Sequence, residues 1–234
     1  MKWICIGFML LGIPMLSAGQ VQIGIKAGYD YFWFTQPEEG HFRAKYDYPN
    51  NSFMIAGSIR QRTEHVFNLG IEIQYVNRSF GVNSNFGGLG GNTHVDVDYR
   101  IGQILLQLQP QFVVGSKVKF FIYPGIYFGT MIHSSCTGII DSWQMGLPPI
   151  TRTDTLNGSA KDYYPAFEFG ISPGLGIEFP VYKTLHFVFE YSFSMNLTSI
   201  SKAWGSDQVK MLNMDFEIGL AYLFKSVNSK AAER

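Results

Sequence analysis

His133 and Ser135 stand two positions apart, a spacing that puts both on one face of a strand. There an imidazole could take the serine proton and create a nucleophile, provided a third group orients the histidine. Asp141, the nearest acid, falls in a long loop rather than at the depth of the pair. Glu168, Glu190 and Glu217 could be the closely placed carboxylates of acid–base chemistry. Each alternates with apolar residues in a separate segment, so ion pairing in a shared interior is the simpler reading. The five histidines, His41, His65, His94, His133 and His186, show no metal-ligand spacing. Gly87-Gly88-Leu89-Gly90-Gly91 lacks the Lys-Ser/Thr and helix that a phosphate-binding loop needs. No cofactor, metal or catalytic residue is expected.

The elements that position these residues are strands. From Thr184 to Thr198, Leu185, Phe187, Phe189, Tyr191, Phe193, Met195 and Leu197 alternate with His186, Val188, Glu190, Ser192, Ser194 and Asn196. Successive strand residues face opposite ways, so one side is aromatic and apolar and the other mostly polar. The same alternation predicts strands over about 21–34, 52–62, 67–78, 94–109, 117–132, 164–179, 184–198 and 209–224. In the fourth the pattern slips near Gly102–Gln103, as a β-bulge would make it do. Links after the second, fourth and sixth strands are short. The others, about 35–51, 81–93, 133–163 and 199–208, are long and rich in Gly, Pro or charge. Short turns at one end and long loops at the other, with strands of membrane-crossing length, describe an eight-stranded antiparallel up-and-down transmembrane β-barrel, all-β.

In such a barrel the apolar faces meet lipid and the polar faces turn inward. Lys26, Arg60, Arg62, Glu72, Arg78, Arg100, Glu168, Glu178, Glu190, Asp215 and Glu217 are then expected to form a polar network in the lumen. Eight strands enclose a space that side chains fill, so the network should be a plug rather than a pore. Charged residues are only 15% and aromatics 16%, as lipid-facing strands require. The formal net charge is zero and no basic stripe is present, which argues against a nucleic-acid partner.

Residues 1–19 read as a signal peptide: Lys2, an apolar run from Trp3 to Leu16, then Ser17-Ala18-Gly19. The barrel is expected over 20–224, with a polar periplasmic tail at 225–234 and both termini on the periplasmic side of the cell outer membrane. Cys136 is then the one cysteine left in the barrel, without a disulfide partner.

Gly24-Ile25-Lys26-Ala27-Gly28, Gly174-Leu175-Gly176-Ile177-Glu178 and Gly219-Leu220-Ala221-Tyr222-Leu223-Phe224 resemble stretches of the eight-stranded, PorT-like outer-membrane barrels of Bacteroidota-type bacteria. The resemblance spans the mature chain and implies outer-membrane lipid as surroundings. Phe224 resembles the closing aromatic by which the barrel assembly machinery recognises its clients. The expected function is a non-enzymatic structural or binding role with long extracellular loops, toward an extracellular or secretion partner that the sequence does not specify. Trp143, Met145, Leu147 and Ile150 make loop 133–163 the apolar contact surface. Two alternatives stand: a lipid-modifying hydrolase, since His133-Ser134-Ser135 resembles the His-x-Ser of small outer-membrane lipid A deacylases, and a secretion accessory or narrow channel.

Overall fold

The computed structural model describes residues 20–35, 45–47, 52–63, 66–88, 91–145, 150–162, 164–198 and 210–224. The signal at 1–19, the tail at 225–234 and most of loops 35–51 and 199–208 lie outside the described residues.

Twelve strands follow in order: β1 (Gln20–Phe34), β2 (Lys45–Asp47), β3 (Phe53–Arg62), β4 (Phe67–Gly88), β5 (Gly91–Val114), β6 (Lys119–Tyr123), β7 (Ile126–Gln144), β8 (Ile150–Gly158), β9 (Phe167–Ile171), β10 (Gly174–Tyr182), β11 (Leu185–Asn196) and β12 (Met211–Phe224). Eight staves make the ring: β6 with β7, and β9 with β10, are each one stave interrupted, while β2 and β8 stand outside the ring, paired with β4 and β7 respectively. The staves close antiparallel into a ring: β1 pairs with β3 on one side and β12 on the other. From β3 the ladder runs through β4 to β5, on to β6 and β7, then to β10 and β9, and back through β11 to β12. Closure gives each stave a hydrogen-bonded neighbour on both sides, which an unhydrated membrane interior demands. Among the described residues no helix is long and apolar enough to cross a membrane.

The two interruptions lie side by side. Proline cannot donate to a ladder, and Pro124 and Pro173 sit at the breaks. Gly125 N–H donates to Ser172 O at 3.1 Å and Ser172 N–H donates to Gly125 O at 2.8 Å, so the two staves stay joined across the gap. At the turn end, Gly115 takes φ +104°, a left-handed conformation suited to glycine, where β5 turns toward β6.

The alternation sorts as expected over most of the ring. On β3, Phe53, Ile55 and Ile59 are exposed while Met54, Ala56, Ser58, Arg60 and Arg62 are buried. On β11 every even residue from His186 to Asn196 is buried. Outward-facing rings pair across strands, as Tyr191 with Phe216 (4.9 Å) and Phe67 with Phe112 (5.7 Å). These are the cross-strand contacts that fix register.

At the loop end the structure departs from three expectations. The stretch 81–93 is not a flexible loop: β4 and β5 continue as a paired hairpin as far as Gly88 opposite Gly91. The stretch 133–163 is likewise largely β7 and β8, paired from Cys136–Gly158 to Gln144–Ile150. Arg100, expected in the lumen, is exposed on the outside with Asp96 and Asp98. Val95, Val97, Tyr99 and Ile101 point inward instead, where with Phe32, Phe34, Phe80, Val82, Cys136, Tyr164 and Met211 they build an apolar core. Along this part of β5 the outer face carries Asp96, Asp98 and Arg100 instead of apolar residues, so the alternation keeps its period and exchanges its sides.

The same inversion explains the slip near Gly102. Strand β5 keeps one parity: Val97, Tyr99 and Ile101 are buried, and so are Gln103, Leu105, Gln107, Gln109 and Gln111. Only the interior chemistry changes, from apolar to largely amide. The bulge is real but lies across the ladder, on β7. Gly102 pairs with His133 and Gln103 with Met131, leaving Ile132 as the extra residue.

Candidate functional site

Inside the polar section of the ring, four basic side chains (Lys26, Arg60, Arg62, Arg78) and seven acidic ones (Asp30, Glu72, Glu168, Glu178, Glu190, Asp215, Glu217) are buried. Taking unpaired ions out of water costs several kcal/mol each even after relaxation, on the order of magnitude seen for buried ions generally. Such a set persists only where charges are paired, and each of the four cations sits against at least one carboxylate, in three tiers.

The middle tier centres on Lys26 of β1. Its Nζ lies 2.6 Å from Glu72 Oε2, 2.6 Å from Glu190 Oε2 and 2.9 Å from Glu217 Oε2. An ammonium has three N–H donors, and here three carboxylates from β4, β11 and β12 surround it. Arg60 of β3 pairs with Glu190 and lies 5.0 Å over the Phe121 ring. Gly176 admits that ring, since a Cβ there would lie 2.3 Å from Phe121 Cζ. A ladder of amides extends the network: Gln74 donates to Glu72 at 2.8 Å, Gln109 to Gln107 at 3.2 Å and Gln111 to Gln109 at 3.1 Å. Oxygens of Glu72, Glu190 and Glu217 lie within 4.8 Å of one another, close enough in principle to hold a metal ion. The Lys26 ammonium already supplies the positive charge at that point.

Toward the turn end, Arg62 pairs with Glu178, and its Nε and Nη2 donate to Gln22 Oε1 at 3.0 and 2.7 Å. Gln22 Nε2 donates back to Glu178 Oε1 at 3.0 Å, and His186 Nδ1 lies 2.9 Å from the same oxygen. Toward the loop end, Arg78 Nε donates to Asp30 Oδ2 at 2.7 Å, and its Nη1 reaches Gln103 and lies 3.6 Å from Glu168 Oε1. Asn196 donates to Glu168 Oε2 at 2.9 Å and Tyr127 bonds Asn196. Ser192 and Ser194 donate to Asp215 Oδ2 at 3.0 and 3.1 Å. The Arg78 guanidinium, 5.9 Å from the Phe32 ring, marks where the polar section meets the apolar core.

Ten of the eleven residues named for the lumen from sequence therefore lie in it, and Arg100 does not. Of the three carboxylates considered for acid–base work, Glu190 and Glu217 share Lys26, whereas Glu168 belongs to the Arg78 tier. Asp30, Gln22, Gln103 and Asn196 complete the network and were not singled out. Asp30 shares the parity of Lys26, four residues on, which was the available signal. His133 and Ser135 lie on the outer face: the His133 ring covers Gly102, where a Cβ would meet it at 2.0 Å, and stands 6.4 Å from Tyr75. Ser135 is exposed opposite Arg100 on β5. Beneath the core, a cavity of about 10 Å3 between Met54, Arg78, Leu105 and Asp215 has room for about one water.

Residues 16–202 match the family model described as outer membrane protein beta-barrel domain. Among solved structures, the attachment invasion locus protein Ail of Yersinia pestis, crystallised with the heparin analogue sucrose octasulfate, is 12% identical, with 88% of this chain and 99% of that chain covered and a TM-score of 0.44. A major outer membrane protein of Thermus thermophilus is 10% identical, covering 87% and 99%, at 0.46. Neisserial surface protein A is 11% identical, covering 86% and 96%, at 0.43. No curated protein matches the chain. The family model spans most of the sequence, and the chain belongs to the outer membrane protein β-barrel domain family: it is an integral β-barrel of the outer membrane.

Proposed function

We propose that this barrel is a non-enzymatic scaffold: a closed, ion-paired cylinder that holds a rigid sheet above the membrane for structural or binding work. The observation that carries this reading is the lumen itself, where Lys26, Glu72, Glu190 and Glu217 meet side chain to side chain. On this reading the turn end and both termini face the periplasm, and the hairpins of β4–β5 and β7–β8 face outward from the cell. The contrast between short turns and long extensions supports that orientation. The stretches around Lys26, Gly176 and Leu220 support placing the chain with the PorT-like barrels of Bacteroidota-type bacteria. Met145 (72% exposed), Ile150 and Trp143 then offer apolar contact area to an extracellular or secretion partner.

Two measurements test this. A cysteine at Met145 should be labelled on intact cells by an impermeant maleimide, and one placed in the tail should not; the reverse pattern would invert the orientation. Lipid A from cells expressing wild type or Ser135→Ala should give identical mass spectra. A change in acyl chains that depends on Ser135 would establish the hydrolase instead.

A further inference from the structure

At the turn end of the lumen, Arg62, Thr63, Val66, Asn68, Val113, Val114, Gly115 and Lys119 line an open cavity of about 380 Å3. Its lining holds two cations and, among the described residues, no carboxylate. Arg62 is buried, with Nε and Nη2 spent on Gln22 and Glu178, while its buried Nη1 has no hydrogen-bond partner among the described residues. An unmet donor on a buried guanidinium costs more than an unmet neutral one, so a ligand that accepts from it is favoured. Lys119, half-buried, lines the same cavity. It stands across the ladder from Glu178, yet that carboxylate is already engaged by Gln22, Arg62 and His186. The site therefore carries positive charge with unused donors. Val66, Val113 and Val114 supply an apolar wall beside it, the mixture of apolar lining and few polar anchors found in small-ligand pockets.

We propose that this cavity binds the phosphate head of a small amphiphile, with the phosphate between Arg62 Nη1 and Lys119 and the apolar part against the valines. The phosphate could be that of a lipid head group or of a free phosphate monoester, and the test separates them. The folded, full-length mature chain in uncharged detergent is titrated by calorimetry with inorganic phosphate at fixed ionic strength, and separately with micelles containing lyso-phosphatidylglycerol. Saturable binding is expected to either or both probes, weakened at least about tenfold in Lys119→Gln, the loss of one charge-assisted hydrogen bond. Lys183→Gln, which removes an equal charge at the same end but outside the cavity, should bind as wild type. Binding of phosphate assigns the site to a free ligand, and binding confined to the micelles assigns it to lipid. If Lys119→Gln does not fold, Val66→Glu, at an exposed turn residue, places a carboxylate in the wall and should abolish binding. Absence of saturable binding to both probes, or equal binding by wild type and these variants, overturns the proposal.

Discussion

Lys26 Nζ lies 2.6 Å from Glu190 Oε2, and the strands that carry them, β1 and β11, are not neighbours: both flank β12. The contact therefore crosses the lumen rather than running along a ladder. It ties distant parts of the sequence together, and it fills the axis that a channel would need.

Replacing Lys26 by Met leaves Glu72, Glu190 and Glu217 without their shared cation. Removing one partner of a buried pair costs about 3–5 kcal/mol. The urea midpoint, read by tryptophan fluorescence in lipid vesicles, should fall accordingly. The double variant Lys26→Met/Glu217→Gln should recover part of the loss, since Glu217, unlike Glu190 with its Arg60 partner, pairs with Lys26 alone among the described residues. A wild-type midpoint for Lys26→Met would contradict the network.

The outer face should behave differently at two heights. Ile25 is 70% exposed on β1, between the aromatic levels marked by Tyr222 and Tyr29. Ile25→Lys should cost about 2–4 kcal/mol in a bilayer. Asp96→Lys, on the outward face of the extended hairpin, should stay within about 0.5 kcal/mol of wild type, as surface substitutions do. Equal costs at the two sites would place the membrane boundary wrongly.

The inverted section of β5 predicts its own labelling pattern. In a Cys136→Ser background, cysteines at Asp98 and Arg100 should react rapidly with a maleimide in the folded barrel, and one at Val97 should react only after unfolding. Rapid reaction at Val97 with protection at Arg100 would restore the arrangement expected from sequence.

That section also shows what was legible in the sequence. Period-two alternation located the strands, and on β3, β11 and β12 it also told inside from outside, because lipid demands an apolar outer face there. Alternation alone gives two faces without saying which is inner. At Val95–Ile101 the outer face is charged and the inner one apolar, so the same pattern pointed the wrong way for Arg100. The apolar residues then changed parity at Gly102, which looked like a slip of β5 although the extra residue is Ile132 on β7. Glycines at 87–91 and the prolines at 148–149 made these stretches read as loops, because turn-forming residues in a sequence do not reveal how far the neighbouring strands reach. The lumen residues were readable one strand at a time. Their grouping into tiers depends on register between strands distant in sequence, which no local pattern carries.

The most direct test of a lumen closed by ion pairs is electrical. The purified barrel, reconstituted in planar bilayers, should add no reproducible single-channel steps above the bare membrane. Lys26→Met, by loosening the middle tier, is the variant most apt to produce them. Regular, resolvable steps from the wild-type protein would mean that water and ions pass between Lys26 and Glu190, and the closed cylinder would be the wrong description.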